Sequence, residues 1–392
     1  MGARHFPLEE YEERWRKVHA LMAERGHDTA VVWSRSGGTY DRCADVLYLA
    51  NYYGNHSGQS TRGPMGFAAV ILRRGEPPEL VADELDPRAD IVATKNARGH
   101  RDTVAAVAAA LQGNRGGGRV AMVGTDFFPM KYWSQLKGAT PRVDWTEDDE
   151  LVREVRLRKS PRELDAMRQG GRTVTAALSA LIERLRDGRS EAEAAGEAAR
   201  IVFEGGGHPH MIPMSHGSHI DHFVSDPLPA FNHEAPRKGD MVRGWVYGPM
   251  FQGYWLDPGR TAVCGKPSAG QKELIEANAG VVDAIVAAVK PGVKVRELCA
   301  IGDKLTAAFG GGKNEMAEKW PIYGHGNGLF FERPSISTTV PGFADFVLEE
   351  NMVVGIEAFF TRAGVGSAGF EQNLIVTKDG PELLTTTPML WW

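Results

Sequence analysis

The sequence holds three cysteines among 392 residues, Cys43, Cys264 and Cys299. They lie far apart and form no C-x-x-C pair, which excludes a zinc ribbon and a disulfide framework. Free thiols fit a reducing compartment. Long hydrophobic runs are lacking too, for none reaches the roughly 18 to 20 residues that a membrane span needs. No basic tract stands out and the net charge is −5, which argues against a nucleic-acid partner. The opening stretch MGARHFPLEEYEERWRKVHA is charged throughout and has no apolar signal core. Phe6 stands where a myristoylation pattern needs Ser or Thr. These absences lead to the expectation of a cytoplasmic protein with no membrane association.

What is present is an ordinary globular balance, 42% hydrophobic and 24% charged. The length exceeds one ordinary core and predicts two domains. Leu8, Tyr11, Trp15, Val18, Leu21 and Met22 recur at helical spacing, and Gly26 ends that helix. Strands are expected at 29–33, 66–72, 79–82 and 119–123, with an Ala-rich helix at 103–111. Such alternation predicts an α/β domain over 1–155. The glycine-rich stretch 113–119 lacks a Gly-Lys-Ser/Thr ending and precedes a strand, so it reads as a turn and not a phosphate loop.

An acidic run, Glu147 to Glu150, marks the boundary. Beyond it Ser160, Ser190 and Ser268 each stand three residues before Glu or Gln, the pattern of a capping box. Helices are expected at 160–186, 190–204, 268–289 and 295–309. Strand-like runs lie at 241–247, 254–256, 261–264, 353–361 and 370–377. The segment 156–392 is therefore expected to be an α+β catalytic domain.

Within those strands sit polar residues that burial penalises: Asp257 and Arg260 in YWLDPGRT, His325 and Glu332 in YGHGNGLFFERP, Glu357 in VGIEAFF, and Glu371 in GFEQNLIV. A buried carboxylate needs a partner. One shared divalent cation would satisfy Asp257, His325, Glu357 and Glu371 together, and one nitrogen with three carboxylates suits manganese, iron, cobalt or zinc. An Asp257–Arg260 ion pair and a solvent-facing Glu357 are the plainer alternatives. Five of the twelve histidines fall in 208–222: His208, His210, His216, His219 and His222. Such imidazoles suit proton transfer, and surface loop residues are the plain reading of most of them.

Taken in order, these segments resemble the pita-bread family of methionine aminopeptidase, aminopeptidase P, prolidase and creatinase. The likeness rests on LRKSPRELDAMR (157–168), Lys238-Gly239-Asp240, Gly253-Tyr254, Asp257, Arg260-Thr261, Gly324 to Leu329, Ile356-Glu357 and Glu371. It implies a creatinase-type N-terminal domain, a pita-bread catalytic domain and a homodimer. It also implies a metal site of Asp257, His325, Glu357 and Glu371.

Two positions depart from the family pattern. The metal hairpin of the family offers two aspartates eleven residues apart. Here Val246 stands eleven before Asp257, and 241–256 hold no carboxylate. This predicts one divalent metal or none, and Val246→Asp is the substitution expected to restore a second. Peptidases of the family also carry a second His seven residues after the first, where this chain has Glu332.

The expected activity is hydrolysis of a C–N bond in a small molecule or short peptide, Xaa-Pro peptidase-like or creatinase-like. The alternatives are a lyase acting on a small carboxylate, similar to dimethylsulfoniopropionate lyase, and a catalytically inactive binding homologue. His222, Glu332 and Glu357 are the candidate catalytic groups. His216, His219, Tyr254 and Arg260 are the candidate substrate-binding groups.

Overall fold

The computed structural model describes residues 4–36, 42–54, 65–84, 87–112, 118–224, 233–309 and 322–392. Most of the turn expected at 113–119 lies outside them, as does part of the insertion at 226–236. The chain divides into two compact units, 1–156 and 157–392. No helix among the described residues is long and apolar enough to cross a membrane.

The first unit runs α1 (Leu8–Glu24), β1 (Thr29–Arg35), α2 (Ala44–Ala50), β2 (Phe67–Arg73), β3 (Glu79–Ala82) and β4 (Asn96–Gly99). It continues through α3 (Thr103–Gln112), β5 (Arg119–Val123), α4 (Met130–Ala139), β6 (Asp144–Glu147) and α5 (Glu150–Arg156). Its sheet has the order β4-β3-β2-β1-β5-β6, with parallel β1/β5, β5/β6 and β3/β4 pairs. Tyr11, Val18 and Met22 bury the predicted face of α1. Arg14 joins them, a cation that apolar counting misses. Its guanidinium lies 4.1 Å from the Tyr48 ring centroid and donates to the Tyr48 carbonyl at 2.9 Å, a stacking that suits arginine's planar head.

The second unit contains α6 (Pro161–Arg186), α7 (Glu191–Glu204), β7 (Met214–His216), β8 (Met241–Trp245), β9 (Gly248–Phe251), β10 (Tyr254–Leu256) and β11 (Gly259–Val263). Then follow α8 (Ala269–Ala288), α9 (Val295–Ala308), β12 (Gly324–Asn327), β13 (Phe331–Ser335), β14 (Val353–Arg362), β15 (Gly366–Thr377) and β16 (Gly380–Leu383). All three capping boxes form, at Ser160/Glu163, Ser190/Glu193 and Ser268/Gln271. The main sheet is antiparallel in the order β13-β12-β14-β15-β11-β8-β7, with β16 beside β15.

Pleating decides which residues reach the site, because successive side chains on a strand point to opposite faces. Val354, Ile356, Ala358 and Phe360 of β14, with Phe370, Leu374 and Val376 of β15, pack into one core with Leu274, Val282, Ile285 and Leu298 of α8 and α9. Each such fully buried side chain stabilises by roughly 1.5–3 kcal/mol. The residues between them, Glu357 and Phe359 on β14 and Gly369, Glu371 and Asn373 on β15, take the opposite face. Pairing sets Trp245, Gly259, Glu371 and Glu357 in one row across β8, β11, β15 and β14.

Candidate metal centre

Asp257, His325 and Glu371 each bring one ligand atom within 4.8 Å of the others. The Nε2 of His325 lies 3.3 Å from Asp257 Oδ2 and 3.7 Å from Glu371 Oε1. All three side chains are nearly or wholly shut off from solvent. Glu357 is the cross-strand partner of Glu371 and is buried, not solvent-facing. Its oxygens fall outside the group of three, yet its charge reaches both His325 and Glu371.

Each carboxylate presents one oxygen and has the other tied down. Asp257 Oδ1 accepts from the side-chain amides of Asn327 and Asn373, both at 2.7 Å. The Asp257 backbone N–H in turn donates to Asn373 Oδ1 at 3.0 Å. Glu371 Oε2 accepts from the Trp245 indole N–H at 3.1 Å. Glu371 Oε1 is buried and accepts no hydrogen bond. On His325, Nδ1 lies 3.2 Å from the Gly326 carbonyl, which can accept its N–H and so turns Nε2 toward the carboxylates. Gly355 makes room, for a Cβ there would come within 2.6 Å of Glu371 Oε1.

The carboxylates compete for positive charge. Burial and the neighbouring Asp257 and Glu357 charges push Glu371 well above the usual carboxylate range. Burial pushes the His325 imidazole down, but Asp257 and Glu357 outweigh it and raise it to about 9. Burial likewise works against Asp257, but the His325 charge outweighs it and holds the carboxyl low. Protons thus collect where a divalent ion would sit. The free Glu371 oxygen, the His325 Nε2 that would give up its proton to a metal, and the mixed N/O donor set fit such an ion.

The other sequence candidates lie elsewhere. Tyr254 donates to Glu163 Oε1 at 2.7 Å, joining β10 to the capping box of α6. Arg260 makes no ion pair with Asp257. It takes the opposite face of β11 and donates to the carbonyls of Gly259, Glu371, Thr387 and Pro388. It therefore clamps the C-terminal segment to the sheet. Glu332 pairs with Lys159 at 2.7 Å, both side chains being buried, and its Oε1 also accepts from the Leu329 N–H.

The histidine-rich segment spreads over β7 and the loops on either side of it. His216 on β7 faces α7 and meets Glu191 at 2.7 Å. His219 and His222 are exposed, and what His222 contributes inside is its carbonyl, which accepts from Arg243 at 2.6 Å. His210 is the histidine of this segment set among aromatic rings, 5.1 Å from Trp255 and 6.1 Å from Tyr247. Phe331 closes the group, 4.6 Å from the His325 ring and 5.8 Å from Trp255. The Tyr247 phenol is raised by burial and by the charges of Asp257 and Glu371.

Sequence reading missed Asn327 and Asn373, and it did not single out Trp245 or His210 from their neighbours. The position of Asn373 two residues after Glu371, on the same face of one strand, was the signal available for it.

Comparison with known proteins gives the fold and the family. The chain is 27% identical over 264 residues to a Xaa-Pro dipeptidase of Pyrococcus horikoshii, covering 66% of this chain and 71% of that protein. It is 28% identical over 406 aligned positions to a probable dipeptidase PepE of Mycobacterium tuberculosis, covering 99% and 98%. Among solved structures, the prolidase from Pyrococcus horikoshii OT3 superposes with a TM-score of 0.78 at 21% identity, over 96% of this chain and 99% of that one. The dipeptidase PepE from Mycobacterium ulcerans does so with 0.77 at 23% identity, over 99% and 98%. The fold is thus an α/β N-terminal domain followed by an α+β pita-bread domain. The pattern of metallopeptidase family M24 matches residues 165–378, more than half of the chain and all of the centre. The chain belongs to metallopeptidase family M24.

Proposed function

We propose that this protein hydrolyses a peptide C–N bond in a short peptide or similar small molecule, at a centre that holds one divalent cation. The observation that carries the reading is the aim of three atoms, Asp257 Oδ2, His325 Nε2 and Glu371 Oε1, at one point, with the partner atom of each tied to another group. Manganese, iron, cobalt and zinc all suit one imidazole with carboxylates. When bound, the ion would polarise the scissile carbonyl and lower the pKa of water.

The chain supplies the rest. Glu357, buried beside Glu371, accepts a proton from the attacking water and returns it to the leaving nitrogen, so that acid and base are one residue. Glu332 is committed to Lys159 and serves as an anchor of the histidine loop. His210, Tyr247, Trp255 and Phe331 form an aromatic wall that suits an apolar residue at the scissile bond. His210 takes the substrate-facing role that sequence reading gave to His219 and His216, and His222, read there as a catalytic group, is exposed. The relatives named as dipeptidases favour hydrolysis over the lyase and inactive-homologue alternatives.

Assay of the manganese-loaded protein with Xaa-Pro dipeptides tests the reading. Release of free proline that is lost in Glu357→Gln and in His325→Ala supports it. Full turnover in His325→Ala, or none in the wild type with any of the four metals, contradicts it. A homodimer in the cytoplasm completes the proposal, and a monomer mass by light scattering would remove the dimer from it.

A further inference from the structure

We infer that Trp245 occupies the place of a second cation, and that its indole N–H makes this a one-ion centre. The inference rests on the metal-centre reading above and concerns a positioning residue. Trp245 and Glu371 stand in one row of the sheet with Gly259 between them. The indole lies across that glycine, because a Cβ on Gly259 would come within 2.0 Å of the ring. A Cβ on Gly369 would come within 2.8 Å of it. Two gaps in the sheet surface therefore form a slot shaped for the indole. Phe359 stacks on its edge of the slot at 5.5 Å with an interplanar angle of 22°. Trp245 is 1% exposed, so water does not share the slot.

Chemistry fixes what the ring does there. A carboxylate with two oxygens can bridge two cations. Here one oxygen of Glu371 meets an N–H donor and the other turns to His325. A hydrogen-bond donor in a buried site gives part of the stabilisation of a cation at far lower desolvation cost. It also fixes the carboxylate in the rotamer that serves the single ion, as hydrogen-bond partners of metal ligands do. Val246, where the sequence pattern leads one to expect a second aspartate, is wholly buried, and its N–H donates to the Pro258 carbonyl at 3.3 Å. It follows β8 directly, one position after Trp245. The residue that closes the second position is thus the neighbour of the one that the pattern marks.

The test counts cobalt bound per full-length chain after chelator stripping, by equilibrium dialysis and elemental analysis. The wild type takes up one equivalent. Val246→Asp stays at one, because the indole is still in place. Trp245→Asp, which puts a carboxylate on the site face, takes up two. Trp245→Phe keeps an aromatic ring in the slot and removes the N–H along with part of the indole. It stays at one equivalent with affinity lowered roughly 10–100-fold. Two equivalents in Val246→Asp, one in Trp245→Asp, or unchanged affinity in Trp245→Phe overturns the inference. A wild type that takes up no cobalt overturns the metal-centre reading beneath it, which separates the two failures.

Discussion

Glu371 divides its carboxylate between two partners: Oε2 accepts the Trp245 indole N–H at 3.1 Å, and Oε1 faces His325 Nε2 at 3.7 Å. Asp257 follows the same rule, with one oxygen on two asparagine amides and the other facing His325. Orientation of this kind is what makes a ligand set specific in geometry.

The asparagines lead to the first prediction. Replacing Asn373 with Leu removes a donor to Asp257 Oδ1 and the acceptor of the Asp257 backbone N–H. Manganese affinity is expected to fall roughly 10–100-fold, read by competition against a fluorescent chelator. Unchanged affinity would mean that Asp257 is held by strand geometry alone.

The pH dependence follows from His325 and Glu371, both raised in the folded chain. A group with a raised folded pKa stabilises the fold below its unfolded value and loses that contribution as pH rises through its folded value. For His325 the window runs from 6.5 to about 9, and Glu371 acts with the same sign. The metal-stripped protein should therefore lose thermal stability over this range. Manganese-loaded protein should not, since the ion replaces the protons. Melting curves with chelator and with metal, taken across the window, decide it; parallel slopes would count against the charge account.

The pair Lys159–Glu332 separates anchoring from proton transfer. Both side chains are buried, so Glu332→Leu leaves an uncompensated lysine charge and is expected to cost about 3–5 kcal/mol. Adding Lys159→Met should recover most of that loss. The pH profile of kcat/KM in the double variant should keep the wild-type shape. A missing limb would return Glu332 to the role of proton carrier.

The histidines can be ranked by substitution. His210→Ala is expected to raise KM for dipeptides at least severalfold, while His219→Ala and His222→Ala leave kcat/KM within twofold, because their rings face solvent. Equal losses in all three would mean that the whole segment acts as one unit.

Local signals in the sequence carried far. The three capping boxes were visible as Ser-x-x-Glu or Ser-x-x-Gln, because their partners lie three residues apart. Asp257, His325 and Glu371 were visible because a charged residue in an apolar strand is conspicuous. Roles set by distant partners were not visible. Lys159 lies 173 positions from Glu332, and nothing near either residue announces the other. Trp245 reads as a strand aromatic, since neither its indole donor nor the glycine slot beneath it has a local signature. The facing of His210, His216 and His222 depends on β7 and on the loops around it, which a histidine count does not reveal.

The central claim is that this centre holds a single divalent ion. Elemental analysis of wild-type protein, loaded with manganese and freed of excess, tests it most directly. The account predicts one equivalent per chain, lost together with activity in His325→Ala. Two equivalents in the wild type, or activity without any, would contradict it.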